Sequence, residues 1–287
     1  MRQRWVAGAL FLIGLMGIAP VAQAASVSFV QVSVPGALWT DANSINDAGK
    51  VLGIYDLNGY RYAYLYHSGT FTTINLPIEP MQDNSLNDLG QIVGSYVDTS
   101  CGCTHGFIFS RGVFTAIEYP GASFTDTFGI NNLGQVVGDY FGASGNINGF
   151  LYSYGRYSSF DYPGASLTIA LGINDRGQIV GHYFDSAGNT HGFLLSRGIF
   201  HSIDYPGAVS TTTYGINDLG EIVGQYTDTA GVLHGFLYSF GTFKTVDYSG
   251  ATNSWLRDIN NLGTMVGIAF VTLPQTFGFV AQNGYQT

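Results

Sequence analysis

The sequence predicts an all-β fold, a six-bladed β-propeller with four antiparallel strands per blade, and three observations predict it. An anchor of the form Ile/Leu-Asn-Asp/Asn-x-Gly occurs six times. Its first asparagine falls at Asn46, Asn87, Asn131, Asn174, Asn217 and Asn260, so successive copies lie 41, 44, 43, 43 and 43 residues apart. Glycine supplies 40 of 287 residues, about twice its usual share. Between the glycines lie β-branched and aromatic runs, punctuated every eight to twelve residues or so, which is the rhythm of short strands and not of helices. Four strands in a unit of roughly 40–45 residues is the pattern of a propeller blade.

Each unit reads as strands a to d. Strand a ends at the Ile or Leu of the anchor. Asn-Asp-x-Gly is a tight turn, with Asx side chains bonding local backbone and Gly supplying positive φ. Strand b is Gln-Ile-Val-Gly-x-Tyr, apolar on both sides because both faces of a blade pack on neighbours. A loop such as Asp228-Thr229-Ala230-Gly231 leads to strand c, His234-Gly235-Phe236-Leu237. Such Asp-x-x-Gly loops are too short to wrap calcium and read as hairpin turns. Strand d follows, as in Phe200 to Tyr205, and Pro206-Gly207 then breaks the ladder.

The phase of the repeat predicts how the ring closes. The chain has a d-type strand at about Ser28 to Val34, before Pro35-Gly36, and ends on a c-type strand, Phe277 to Gln282. The last unit lacks its outer strand, and residues 28–34 are expected to supply it by pairing beside 276–282. Closure hides edges that an open array would expose.

Ahead of the repeats, Met1-Arg2-Gln3-Arg4 precedes an apolar run from Trp5 to Val21 and then Ala22-Gln23-Ala24. This is the layout of a secretory signal peptide over 1–24, cut after Ala24. A single propeller domain over 25–287 would follow, secreted to the periplasm or the extracellular space. No second apolar run follows, so no membrane span is expected. The net charge of −9 becomes −11 without the leader, which argues against nucleic acid or an anionic membrane as partner. A monomer is expected, with a carbohydrate or a protein as partner.

The core Gly-Ile-Asn-Asp-x-Gly-x-Ile-Val-Gly, as at Gly215 to Gly224, with the downstream His-Gly-Phe-Leu at His234 to Leu237, resembles the HAF family of probable extracellular repeats. The resemblance covers essentially the whole chain after the leader. The family's His-Ala-Phe appears here as His-Gly-Phe, at His105, His191 and His234, while Tyr62, Asn148 and Phe277 stand where the other histidines would be. The resemblance implies an extracytoplasmic repeat protein and brings no activity with it.

Loops a–b and c–d share one rim and are nearly identical in every copy, so they read as structural. Loops b–c and the segments after Pro-Gly-Ala share the other rim and vary, so a ligand is expected there. Five residues before each anchoring Asn stand Asp41, Gln82, Asp126, Ile169, Thr212 and Trp255, with Trp39, Glu79, Asp83, Arg257 and Asp258 nearby. Trp39, Asp41, Glu79, Asp83, Asp126, Trp255, Arg257 and Asp258 are therefore the candidate ligand-binding residues. Stacking and hydrogen bonds at an acidic, aromatic channel mouth would suit a sugar or a cation; solvated rim residues without a shared target are the plain alternative.

One His per unit, spread around the ring, suits a hydrogen bond within each blade and not a shared metal site. His182, alone of its kind in strand b, reads as packing. Cys101 and Cys103, the only cysteines, are expected to pair in an oxidising compartment; a metal site with His105 would lack a visible fourth ligand. Gly-x-Ser-x-Gly, His-Glu-x-x-His and a phosphate-binding Gly-Lys-Ser/Thr are all missing. No catalytic residue, metal or cofactor is assigned. The sequence thus favours a non-catalytic binding or scaffold module. A glycan hydrolase or lyase using Asp41, Asp83, Asp126 or Asp258 is the second reading, and a purely structural surface protein the third.

Overall fold

The computed structural model describes residues 27–81, 84–143, 145–272 and 275–283. The leader expected over 1–24 and the candidate Asp83 lie outside the described residues. The described chain forms twenty-four strands. They fall into four sheets of four strands and one of eight, the latter being two consecutive quartets joined by a single parallel bridge, Ile147 to Leu167.

Each quartet runs a-b-c-d with antiparallel neighbours, as in Ser210–Ile216, Ile222–Thr227, Leu233–Ser239 and Thr242–Thr245. The quartets follow one another in sequence and pack face to face. The a strand Trp39–Ile45 packs back on Thr264–Thr272 and Gln275–Asn283, so the ring closes around a channel lined by the a strands. The fold is an all-β propeller.

The closing pair is as the repeat phase predicts. Strand Val27–Val32 lies antiparallel beside Gln275–Asn283, with Val27 opposite Asn283 and Val32 opposite Gly278. Val32 is fully buried there, and Phe29 meets Phe279 and Tyr248 edge-on.

The aromatic ring of His-Gly-Phe is the centre of each unit. Phe107, Phe150, Phe193, Phe236 and Phe279, with Tyr64 in the first unit, are all fully buried. The glycine before each Phe leaves room for the end of strand d in its own unit, for the next unit's a strand, or for both. A Cβ on Gly192 would stand 2.6 Å from the Ile203 carbonyl and 2.9 Å from Thr213 Cγ2.

The anchoring asparagines lock the units together. Each Asn Oδ1 accepts from its own turn, as Asn87 does from Leu89 N and Gln91 N at 3.1 and 2.9 Å. Each Nδ2 reaches forward to the next unit's Asn carbonyl: Asn46 to Asn87, Asn87 to Asn131, Asn131 to Asn174, Asn174 to Asn217, Asn217 to Asn260, and Asn260 back to Asn46. A second ring runs outside it. The backbone N–H of Asp47, Asp88, Asn132, Asp175, Asp218 and Asn261 each donates to the carboxylate or amide Oδ1 of the next member, at 2.7–2.9 Å. The residue after the anchoring Asn is Asp or Asn because only these present an acceptor at that reach.

Candidate functional site

The a strands are interrupted at one place. Their register slips between Ala42 and Ser44, Thr127 and Gly129, Ala170 and Gly172, Thr213 and Gly215, and Leu256 and Asp258. The bulged residues are Asn43, Phe128, Leu171, Tyr214 and Arg257, each three before its anchoring Asn, and Asn84 holds the same sequence position in the second unit. A bulge re-aims a side chain out of the ladder, and here all six residues line one cavity of about 110 Å³ in the channel. Its outer wall is made by the Asn-Asp turns, from Asn46 and Asp47 round to Asn260 and Asn261.

The six positions are not equivalent. Going round the ring, Arg257, Asn43 and Asn84 form a polar arc, while Phe128, Leu171 and Tyr214 form an apolar one. The next residue repeats the division: Asp258, Ser44 and Ser85 against Gly129, Gly172 and Gly215. On the apolar side the backbones nearly touch, since a Cβ on Gly172 would stand 2.5 Å from the Tyr214 carbonyl.

On the polar side the side chains bridge the units instead. Asp258 Oδ2 accepts from Ser44 Oγ at 2.7 Å and from Ile45 N at 3.0 Å, and its Oδ1 accepts from Ile259 N at 2.8 Å. Ser44 Oγ in turn accepts from Leu86 N at 3.1 Å. Desolvation outweighs these bonds and pushes the Asp258 carboxyl up to about 6. The Arg257 guanidinium lies 4.6 Å from the Tyr214 ring centre and 5.9 Å from that of Trp255, a cation–π arrangement that holds it at the boundary of the two arcs.

Asn43 and Asn84 stand apart. They are only 7% and 1% exposed, and neither the amide nitrogen nor the carbonyl oxygen of either has a hydrogen-bond partner in the protein. A buried polar group left unpaired costs on the order of 1–3 kcal/mol. Both residues belong to the cavity lining, and the Asn84 amide lies behind it, against Gly94 of its own strand b, so a partner reaches it only after a rotation of the side chain.

Of the eight residues singled out from the sequence, Arg257 and Asp258 line this cavity. Trp39, Asp41, Glu79, Asp126 and Trp255, the other candidates among the described residues, are not part of its lining. Trp39 is half-buried at the start of its strand; Asp41 is buried, with its carbonyl accepting from Tyr64 OH at 2.8 Å. Trp255 is half-buried against Phe270, its Nε1 unpartnered. Asp126 is half-buried directly opposite Asp139, whose carboxyl is raised well above the usual range by burial and then by the Asp126 charge. Glu79 is exposed on a loop and accepts from Arg61 N at 3.3 Å, away from the channel wall.

The structure does not gather the described candidates into one shared mouth on the variable rim. The cavity lies toward the Asn-Asp end of the channel, where the turns that read as purely structural form its outer wall. In five units the reason is the bulge, which takes the residue three before the Asn, not five before it, out of the ladder at the cavity; Asn84 reaches the lining without one, ahead of its short strand. Asn43, Asn84, Phe128, Leu171 and Tyr214 were missed on that account, although aligning the copies at that position shows the polar and apolar halves.

The histidines behave as the sequence suggests. His191 Nδ1 meets Asp204 at 3.0 Å and His234 Nδ1 meets Asp247 at 2.7 Å, each within its own unit. His182 is deep in strand b, its ring lowered to about 4 by desolvation. Cys101 and Cys103 are joined as a disulfide, with Cα atoms 5.2 Å apart.

No family model matches the chain, and no curated protein matches it in sequence. Solved structures match its fold. The chain is similar to TolB from Acinetobacter baumannii at 12% identity and a TM-score of 0.57, covering 84% of this chain but 54% of that one, so it spans about half of TolB. It is similar to the Aleuria aurantia lectin in complex with α-methyl-L-fucoside at 10% identity and a TM-score of 0.55, covering 91% and 93% of the two chains. AofleA from Arthrobotrys oligospora matches at 13% identity and a TM-score of 0.57, over 90% and 87%. These likenesses place the chain among β-propellers.

Proposed function

We propose that the chain is a six-bladed propeller, each quartet one blade, that acts outside the cytoplasm as a non-catalytic binding module. Its ligand is small and polar, the tip of a glycan in the first instance, held in the channel cavity. The observation that carries this reading is the pair of buried, unpartnered amides of Asn43 and Asn84. A primary amide offers two donors and an acceptor, the set that a pair of neighbouring hydroxyls complements. Phe128 and Tyr214 across the cavity supply apolar faces for the ligand's other side. The volume, about 110 Å³, is well under that of a drug-sized pocket and suits one terminal group.

The secreted reading, and kinship with HAF repeats, rest on the leader and the repeat core in the sequence. The lectins among the matching propellers make a carbohydrate the natural first ligand to try. The glycosidase reading is weaker. Such chemistry needs two carboxylates flanking one bond. Among the described residues Asp258 is the one carboxylate on the inner wall, while the carboxylates of Asp47, Asp88, Asp175 and Asp218 accept hydrogen bonds in the outer ring.

A glycan array probed with the purified protein, followed by titration calorimetry on any hit, tests the proposal. Asn43→Leu and Asn84→Leu should abolish binding while leaving the melting temperature unchanged or higher, since an unsatisfied buried amide is removed. Binding that survives both substitutions would place the ligand elsewhere. Absence of any glycan hit would end the carbohydrate reading.

A further inference from the structure

The second unit departs from its neighbours at the b–c loop. In the fourth and fifth units, the His of His-Gly-Phe is held at both ring nitrogens by carboxylates. His191 Nε2 lies 3.5 Å from Asp185 and its Nδ1 3.0 Å from Asp204; His234 Nε2 lies 3.4 Å from Asp228 and its Nδ1 2.7 Å from Asp247. Each ring thus has an acceptor on both nitrogens; at His234, desolvation pulls the ring down, and Asp247 and Asp228 raise it above its ordinary value against that pull.

His105 keeps only half of that arrangement. Its Nδ1 faces Glu118 Oε1 at 3.4 Å, the counterpart of Asp204 and Asp247. The loop before it is one residue longer: Asp98 stands seven residues ahead of the His, where Asp185 and Asp228 stand six ahead. Asp98 Oδ1 caps Ser100 N at 2.8 Å, and the atom that faces His105 Nε2 is Cys101 Sγ, at 3.9 Å. The sulfurs of Cys101 and Cys103 and a ring nitrogen of His105 all lie within 4.8 Å of one another. All three residues border solvent.

We propose that Cys101, Cys103 and His105 form a thiol-gated site for Cu(I). Two thiolates and one imidazole are a soft donor set, which selects Cu(I) over hard cations. A d¹⁰ monovalent ion accepts three ligands without strain and needs no fourth. Glu118 fixes the tautomer: with the proton on Nδ1, the Nε2 lone pair faces the sulfurs, as metal-bound histidines are oriented elsewhere. The disulfide is the closed state. It opens when a dithiol reductant delivers two electrons and two protons, breaking the Cys101–Cys103 bond and leaving as its own cyclic disulfide. Cu(I) then displaces the two thiol protons to solvent, and the metal keeps its oxidation state throughout. A small-molecule disulfide reverses the opening by thiol–disulfide exchange: it accepts the two electrons, takes two protons from solvent and leaves as two thiols, while the Cys101–Cys103 bond re-forms and the ion is released as Cu(I).

The test uses purified protein, reduced with a dithiol, freed of it under anaerobic conditions and titrated with Cu(I) against a colorimetric Cu(I) chelator. The reduced chain should take up one Cu(I) with thiolate-to-copper charge-transfer absorption, and the oxidised chain none. His105→Ala should weaken affinity tenfold or more. Glu118→Gln, which leaves all three donors in place, should weaken it by roughly ten- to a hundredfold. His234→Ala should leave it unaltered. The proposal is overturned if the reduced protein binds no more Cu(I) than the Cys101→Ser/Cys103→Ser variant, or if His105→Ala binds as tightly as the parent.

Discussion

Asn174 shows how much one side chain carries in this fold. Its Oδ1 accepts from Arg176 N and Gln178 N at 3.1 and 3.0 Å, and its Nδ2 donates to the Asn217 carbonyl and to Gln178 Oε1, both at 2.9 Å. Asn174→Ala strands two turn N–H groups and a buried carbonyl of the next unit. At about 1 kcal/mol or more for each, the loss is about 3 kcal/mol, or roughly 6–12 °C in melting temperature for a domain of this size. Chemical denaturation would show it, and a loss under about 1 kcal/mol would mean that the link is redundant. Asp258 makes a pH prediction. Its carboxyl is raised to about 6 in the folded chain from 3.8, so the folded state holds its proton more tightly than the unfolded state does. Its contribution to stability is therefore full below pH 3.8, declines as pH rises toward 6, and is lost above that. Asp258→Asn should flatten that part of the fall in melting temperature between these limits; parallel pH profiles for the two proteins would refute the assignment.

At the scale of the element, the a strand has two tasks that conflict. It must pack against its two neighbours closely enough to close a narrow channel, and it must still present side chains to that channel. The bulge resolves the conflict by giving up one ladder position to aim one residue inward, and the glycine that follows it in three units lets the backbones meet. Gly172→Ala puts a methyl 2.5 Å from a backbone oxygen that cannot yield. It should cost about 2–3 kcal/mol in thermal unfolding. The same substitution at Gly188, at a loop tip with nothing within 4 Å but a φ of +86°, should cost less, about 1 kcal/mol. Equal losses at the two positions would argue against close packing as the reason for glycine. The strands themselves were legible in the sequence because turn chemistry and Phe spacing are local signals that every copy repeats. The cavity was not, because a bulge leaves no mark of its own: Asn43 and Arg257 look like ordinary strand residues until the register slip between their neighbours is known.

For the whole molecule, the closing strand is the test of architecture. Val27–Val32 supplies a full set of ladder bonds, buried Val32 and the Phe29 contacts to a unit that would otherwise end in an open edge. Deleting residues 25–35 should lower the melting temperature by about 10 °C or more, and an unchanged transition would show that the ring holds without it. This pairing was legible because it follows from counting: the first d strand has no unit of its own, and the last unit has no d strand. The inner ring of asparagines has a further consequence. Every amide hands its hydrogen bond to the next unit in the same rotational sense, and the last hands its own to the first, so the circuit contains no privileged starting point. Where the polypeptide begins is then a fact about its synthesis and not about its architecture. Val27 and Asn283 already sit side by side. A chain re-begun at the exposed turn between Ala187 and Gly188, with its old ends spliced by a short linker, should reach the same ring.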